Sequence, residues 1–325
     1  MSNLKIDQKL LLEFEKGLDP RYPEKSKIPA AVLGYGEMST VFAIGDEGHQ
    51  DLAYKRMPIF QSLEEVEAYE ILYDEYNEIL EKQVGISVPP YDAAFITTES
   101  GRMIMFDVQK KLEPMSIGNR AIHHISDKET FLLVRLVLRE LAKIWKFNRS
   151  HDDLEVGIDG QISNWAIKNF DPKNPKVTED AEFFYIDTSS PLYRKNGVEQ
   201  LDPELFLRAA PSFLIWLVRW LFLEDVMTRY YDFHLVVVDL IGNFYKEQRP
   251  ELIGGLIDVA NDFFAHDVPE LEVEPITEKQ VKAYYREDAW IWRLWLTFRK
   301  IDRFLKTRLL RKEYPFILPG KIKRY

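Results

Sequence analysis

The sequence predicts an α+β chain in two lobes, a small β-rich N-terminal lobe and a larger, mainly helical C-terminal one. Three observations predict it. Short apolar, strand-like runs crowd the first third, helical periods dominate from residue 128, and the pattern changes near residues 108–112. A chain of 325 residues that is 46% hydrophobic and 13% aromatic can bury cores for both lobes. The expected division is residues 1–108 and residues 109–325, with a cleft between them.

Residues 4–17 repeat leucine, isoleucine and phenylalanine near helical spacing, and Gly17 suggests a glycine cap. Pro20, Pro23 and Pro29 keep the next segment extended. Residues 31–33 and 41–44 read as strands around a turn at 34–40, and residues 52–55 read as a third strand. A helix over 63–83 puts Val66, Tyr69, Tyr73, Tyr76 and Leu80 on one face. Residues 93–97 and 102–108 add two strands. Beyond them the pattern predicts a helix over 128–147, then a hairpin of 164–167 with 182–186 carrying a polar insert at 168–181. From residue 204 to the C-terminus the period is helical almost throughout. The apolar run 213–223 contains Arg219 and falls well short of the roughly 20 residues of a membrane span, so it reads as a buried helix.

There is no cysteine, which removes disulfides and thiolate metal sites from consideration. The N-terminus lacks the apolar core of a signal peptide, so a cytoplasmic protein with no membrane span is expected. A net charge of −10 argues against general nucleic-acid binding. Residues 299–324 dissent, with ten lysines and arginines against Asp302 and Glu313. That tail reads as a solvated basic face docking on the protein's own acidic surface; an anionic partner or membrane headgroups are the alternative.

Within this frame a few residues carry chemistry. Gly34-Tyr35-Gly36, followed by Ser39, sits between two strands, where exposed backbone N–H groups can approach phosphate oxygens. No helix opens directly after it, and no Gly-Lys-Ser/Thr follows, which excludes the two commonest nucleotide turns. Lys55 ends the next strand, where its ammonium can meet phosphates. An acid on the following helix should fix it; Glu75 is the expected partner and Glu70 the alternative. Asp159 and Asn164, five positions apart across a loop, can aim one carboxylate at a substrate hydroxyl and one amide oxygen at a metal. Asp187 ends an apolar strand in the manner of a chelating carboxylate.

In this order the residues resemble the protein-kinase-like superfamily, closest to its aminoglycoside and choline phosphotransferase branch, over residues 33–190. The resemblance implies a two-lobed kinase-like fold that uses ATP and Mg2+. Gly34, Gly36 and Ser39 would form the nucleotide loop, Lys55 would bind phosphates with Glu75 as its support, and Asp159 would be the catalytic base. Asn164 and Asp187 would hold magnesium. Adenine would rest against residues 108–110, and a small hydroxylated acceptor would bind among the C-terminal helices near Tyr230, Tyr231, Asp232 and Asp239. The pattern also departs from the family. Gly157 stands where a histidine normally supports the catalytic loop, Gln161 stands where protein kinases place a lysine, and Thr188-Ser189 replaces Phe-Gly. No Ala-Pro-Glu segment follows, which disfavours a protein substrate.

The expected function is therefore an ATP- and magnesium-dependent phosphotransferase acting on a small molecule. A kinase-like ATP-binding module without transfer is the alternative, and transfer of AMP is a third possibility. His151-Asp152-Asp153 reads as loop, His123-His124 lacks a third metal ligand, and Trp290, Trp292 and Trp295 read as core aromatics.

Overall fold

The structure, a computed structural model, describes residues 4–36, 38–45, 51–208, 210–211 and 228–320. The apolar helix expected at 213–223 and the last three basic residues of the tail lie outside the described residues. Helix α1 (Gln8–Gly17) precedes five strands, β1 (Ala30–Tyr35), β2 (Thr40–Ile44), β3 (Leu52–Met57), β4 (Tyr91–Thr97) and β5 (Met103–Lys110). They form one antiparallel sheet in the order β1-β2-β3-β5-β4, with α2 (Leu63–Glu78) inserted after β3.

Because strand side chains alternate between faces, the sheet is covered on both sides. On the outer face Phe42, Ile44, Tyr54, Phe106 and Val108 join Leu11 and Phe14 of α1 in one core cluster. On the inner face Met57 and Met105 join Val66, Tyr69, Tyr73 and Tyr76 of α2 in the larger core, which runs on into the C-terminal part. Asp7 caps α1 by accepting from the backbone N–H groups of Lys9 and Leu10. The other end differs from expectation. Gly17 is not a left-handed cap; a Cβ there would lie 3.1 Å from Lys27 Cβ, so glycine serves close approach of the returning chain.

The C-terminal part is mainly helical: α3 (Asp127–Arg149), α4 (Phe233–Lys246), α5 (Ile253–His266) and α6 (Glu278–Phe304). Ser126 and Glu129 form a reciprocal capping box that starts α3. Between α3 and α4 lie short strands: β6 (Leu154–Val156), β7 (Trp165–Ile167), β8 (Phe183–Tyr185), β9 (Tyr193–Lys195) and β10 (Val198–Glu199). The expected hairpin is β7 with β8, in the register Trp165 to Tyr185. The small sheet β10-β9-β6 was not legible from strands of two or three residues. Helix also stops earlier than the sequence predicts. After α6 the chain reverses, and Tyr314, Phe316, Ile317 and Leu318 are buried without helix.

That returning segment closes a knot on the outer face. Arg56 of β3 is ion-paired with Glu15 of α1, both side chains nearly inaccessible, and its Nη1 donates to the Pro315 carbonyl at 2.8 Å. Ile317 completes the outer core cluster. A guanidinium stripped of water is tolerable there only because carboxylate and carbonyl oxygens replace its hydration. Glu15→Ala should therefore cost about 3 kcal/mol in urea unfolding, by stranding Arg56. The double variant Glu15→Leu/Arg56→Met should lie closer to the parent; a double variant at least as unstable as the single one would contradict this account.

Candidate functional site

One cross-strand row of the sheet reads Gly34, Val41, Lys55, Asp107 and Ala93. Antiparallel register thus puts the glycine turn, the strand lysine and a buried carboxylate in line. The register shifts between Val32 and Gly34, and the turn closes when Gly36 N–H donates to the Ser39 carbonyl at 3.0 Å. A Cβ on Gly36 would sit 2.6 Å from Ser39 Oγ, a contact that rotation of the serine hydroxyl relieves, and at Gly34 the space is open.

Lys55 reaches across to the C-terminal part. Its Nζ donates to Asp187 Oδ1 at 2.6 Å, joining residues 132 positions apart. Ser189 Oγ donates to the same oxygen at 3.1 Å, and Gln109 Nε2 donates to Thr188 Oγ1 at 3.3 Å. Asn164 lies beside both elements. Its Nδ2 donates to the Asp159 carbonyl at 3.2 Å, and its own carbonyl accepts from Ile186 N–H at 2.9 Å. Lys55, Asp187, Asn164 and Asp159 are therefore brought together, with the turn of Gly34, Gly36 and Ser39 on the strands beside them.

Glu75 is not among them. It pairs with Lys195, and Tyr193 Oη donates to its Oε2 at 2.7 Å. The expectation that Glu75 fixes Lys55 is corrected by helical phase: Tyr69, Tyr73 and Tyr76 own the inner face of α2, so position 75 turns away from it. Glu70 is no substitute either: Lys55 pairs with Asp187, and burial with the carboxylates of Asp74 and Asp92 raises the Glu70 pKa. What α2 offers instead is a tyrosine. Tyr69 Oη lies 2.8 Å from Asp107 Oδ2 and 2.8 Å from the Ser189 carbonyl oxygen.

Asp107 is 3% exposed, and its Oδ1 has no hydrogen-bond partner among the described residues. Burial pushes its carboxyl up to about 7, against the pull of Tyr69 and Lys55. One phenol proton cannot serve two acceptors. The phenol thus stands between the Asp107 carboxylate and the Ser189 carbonyl and can donate to one of them at a time. At Asp187 burial also acts upward, yet the Lys55 ammonium and the Ser189 hydroxyl hold its carboxyl below the usual range.

Gly157 does not leave the Asp159 loop unsupported. Tyr76 Oη donates to the Gly157 carbonyl at 2.9 Å, and the Tyr231 ring stands 3.1 Å from where a Cβ would be. The amide of Asn148 exchanges two 2.8 Å hydrogen bonds with the Val156 backbone, and Ile158 N–H donates to the Tyr230 carbonyl at 3.0 Å. Tyr76 of α2 and Tyr231 of the turn before α4 thus support this loop from far along the chain. Asp159 Oδ1 accepts from Gln161 N–H at 3.1 Å, and Gln161 Nε2 donates to Asp239 Oδ2 at 3.2 Å. Lys246 of α4 donates to Gln161 Oε1 at 3.3 Å. Burial, then the carboxylates of Asp239 and Asp187, raise the Asp159 pKa. Asp239 therefore adjoins the cluster, whereas Asp232 caps α4 by accepting from Leu235 N–H.

His151 stacks on Phe147 with centroids 3.9 Å apart. No cluster of three or more metal-binding side chains includes His123 or His124 among the described residues. The tryptophans divide: Trp295 packs on the main core, but Trp290 is 57% exposed, contrary to expectation.

The family model of DUF6206, a family of unknown function, matches residues 24–305. The chain belongs to this family. No curated protein matches it. Among solved structures, the DUF6206 chain is similar to WaaP in complex with acyl carrier protein, at 11% identity, over 69% of this chain and 89% of that one, with a TM-score of 0.33. It is also similar to the GDP complex of wild-type aminoglycoside 2'-phosphotransferase-IIIa, at 12% identity over 76% and 95% of the two chains, TM-score 0.33.

The Asp107 environment gives a signed expectation. A carboxyl with a folded pKa of about 7 and an unfolded value of about 3.9 costs stability progressively as pH rises between those limits. Asp107→Asn removes that cost. Its unfolding free energy relative to the parent should therefore grow from pH 4 to pH 7 and then level off, by about 4 kcal/mol in all. Denaturant titrations of both proteins across this range check it, and a constant difference would contradict the assignment.

Proposed function

We propose that this protein is a kinase-like phosphotransferase that uses ATP with Mg2+ to phosphorylate a hydroxyl of a small molecule. One observation carries the reading: the 2.6 Å pair of Lys55 with Asp187, which joins the strand beside the glycine turn to the loop beside Asp159. A lysine held there can turn to phosphate oxygens when the carboxylate is engaged elsewhere. Asp187 meets Lys55 and Ser189 through Oδ1, so Oδ2 is the oxygen it can offer a cation. Asn164 Oδ1 is the second protein donor. Two oxygen donors suit magnesium, whose shell is otherwise completed by phosphate and water.

Bound magnesium would supply charge neutralisation to the phosphates. Asp159 would accept the proton of the acceptor hydroxyl, and the Gly36 turn would cover the nucleotide with backbone donors. The cation on Lys246 stands one hydrogen bond from Gln161, where protein kinases keep a lysine, and would restore positive charge at that edge. Residues 1–108 and 109–325 would act as the two lobes about this cleft.

A second reading, nucleotide binding without transfer, draws support from Asp159. Burial and the carboxylates of Asp239 and Asp187 favour its protonated form, which cannot take up a proton until a cation arrives nearby.

Two variants separate these readings. Asp187→Ala should abolish magnesium-dependent ATP binding in calorimetry; unchanged affinity would sink the metal assignment. Asp159→Asn should leave ATP affinity within a few-fold of the parent. Turnover, once an acceptor is found in a panel of hydroxylated metabolites, should then fall by about 10²–10⁴-fold. Turnover unaffected by Asp159→Asn would remove Asp159 from the base role.

A further inference from the structure

Exposed apolar side chains are not spread evenly over this protein. Five of the eleven large ones among the described residues, Trp290, Ile301, Phe304, Leu309 and Leu310, fall within residues 290–310. Scattered single exposures need no explanation, but a cluster does. Helical phase explains how they meet. Trp290, Thr297, Ile301 and Phe304 recur at intervals of seven, four and three, so they form one stripe about 21 Å long on α6. Tyr285, Ala289, Arg299 and Asp302 are buried on the opposite side.

At the end of the helix the chain makes a widened turn at Leu305–Leu309 and reverses at Arg311, whose φ of 53° is left-handed. Leu309 and Leu310, 66% and 60% exposed, stand at the tip of that reversal. The tip is held from both sides. Lys306 pairs with Asp302 at 2.8 Å, Arg102 pairs with Glu313 at 3.0 Å, and Tyr314 is buried beside Arg299. Two leucines are thus fixed outward by a braced turn.

Charge selects the occupant. Residues 299–312 carry seven cations and one acid, in a chain whose net charge is −10. Arg293, Lys300, Arg308, Arg311 and Lys312 are exposed among the apolar side chains. The tail therefore does not lie wholly on the protein's own acidic surface. Cations beside an apolar helical stripe of Trp290, Ile301 and Phe304, and around a turn tip of two leucines, match the lipid interface, where the apolar groups enter the acyl boundary and the cations meet anionic headgroups. A folded protein partner or a nucleic acid would account for the cations, but neither requires unpaired leucines at a turn tip.

We propose that the α6 stripe and the turn at residues 305–312 dock this protein on an anionic bilayer surface, without crossing it. The proposal is independent of the nucleotide chemistry. The test uses the full chain and sedimentation with vesicles of phosphatidylcholine alone or doped with phosphatidylglycerol. The parent should sediment with the doped vesicles, bind the neutral ones at least about tenfold less, and release as salt rises. Phe304→Glu/Leu309→Glu/Leu310→Glu should lose binding at least about tenfold while keeping the parent's circular dichroism and melting temperature, because all three side chains are exposed. Arg308→Gln/Arg311→Gln/Lys312→Gln should weaken only binding to the doped vesicles. The proposal is overturned if the parent binds neither vesicle, binds both equally, or if the glutamate variant binds like the parent. It is also overturned if the parent is a dimer in solution that the glutamate variant dissociates, which would make the stripe a contact between copies.

Discussion

An ammonium group in a half-buried cleft must be given a counter-charge, and the arrangement around Lys55 follows from that requirement. The sheet presents Lys55 inward at a position where water is scarce, so the low local dielectric strengthens every charge near it. Asp187 answers directly, across the junction between the sheet and the C-terminal part. Asp107 stands opposite Lys55 on the adjacent strand, in register but without a direct bond to the ammonium. The two carboxyls divide the work: one stays ionised beside its cation, and the other is pushed toward its neutral form by burial. Tyr69 then links the neutral carboxyl to the backbone just past Asp187. A single lysine thereby fixes where a strand, a helix and a loop must meet.

Much of this was legible because it is written in strand ends. Asp187 follows an apolar run and Asn164 precedes one, so β7–β8 pairing brings them together, whereas Lys55 reaches them from the interior of β3 in a separate sheet. The five strand runs of the sheet and the β7–β8 hairpin were likewise readable from alternation and turn residues, but the strand order was not. Glu75 shows how a local reading fails. The sequence already put Tyr69, Tyr73 and Tyr76 on one helical face, and an acid adjacent to Tyr76 must then point about 100° away from it. Asp107 was hidden for the opposite reason. A lone acid inside an apolar strand run looks like an interruption, and only the register opposite Lys55 gives it meaning.

The support of the Asp159 loop was illegible in principle. Nothing near Gly157 in sequence replaces a bulky loop residue, because the replacement comes from Tyr76 and Tyr231, which lie far away along the chain. Space vacated in one place and filled from another is a tertiary property. Small residues at such points are informative about their neighbours rather than about themselves. The exposed half of α6 was misread for a related reason: tryptophans at helical spacing signal an apolar stripe, but spacing does not say what covers it.

The knot of Glu15, Arg56 and Pro315 has a consequence for how the chain comes to be folded. The outer face of the N-terminal sheet is closed by Leu11 and Phe14 from one end and by Ile317 from the other. During synthesis, residues 30–110 can pair into a sheet early, since their contacts are local. Their outer cluster remains incomplete until residue 317 has left the ribosome, more than 200 residues later. The outer surface of the N-terminal sheet is thus completed only after the C-terminal helices have been made.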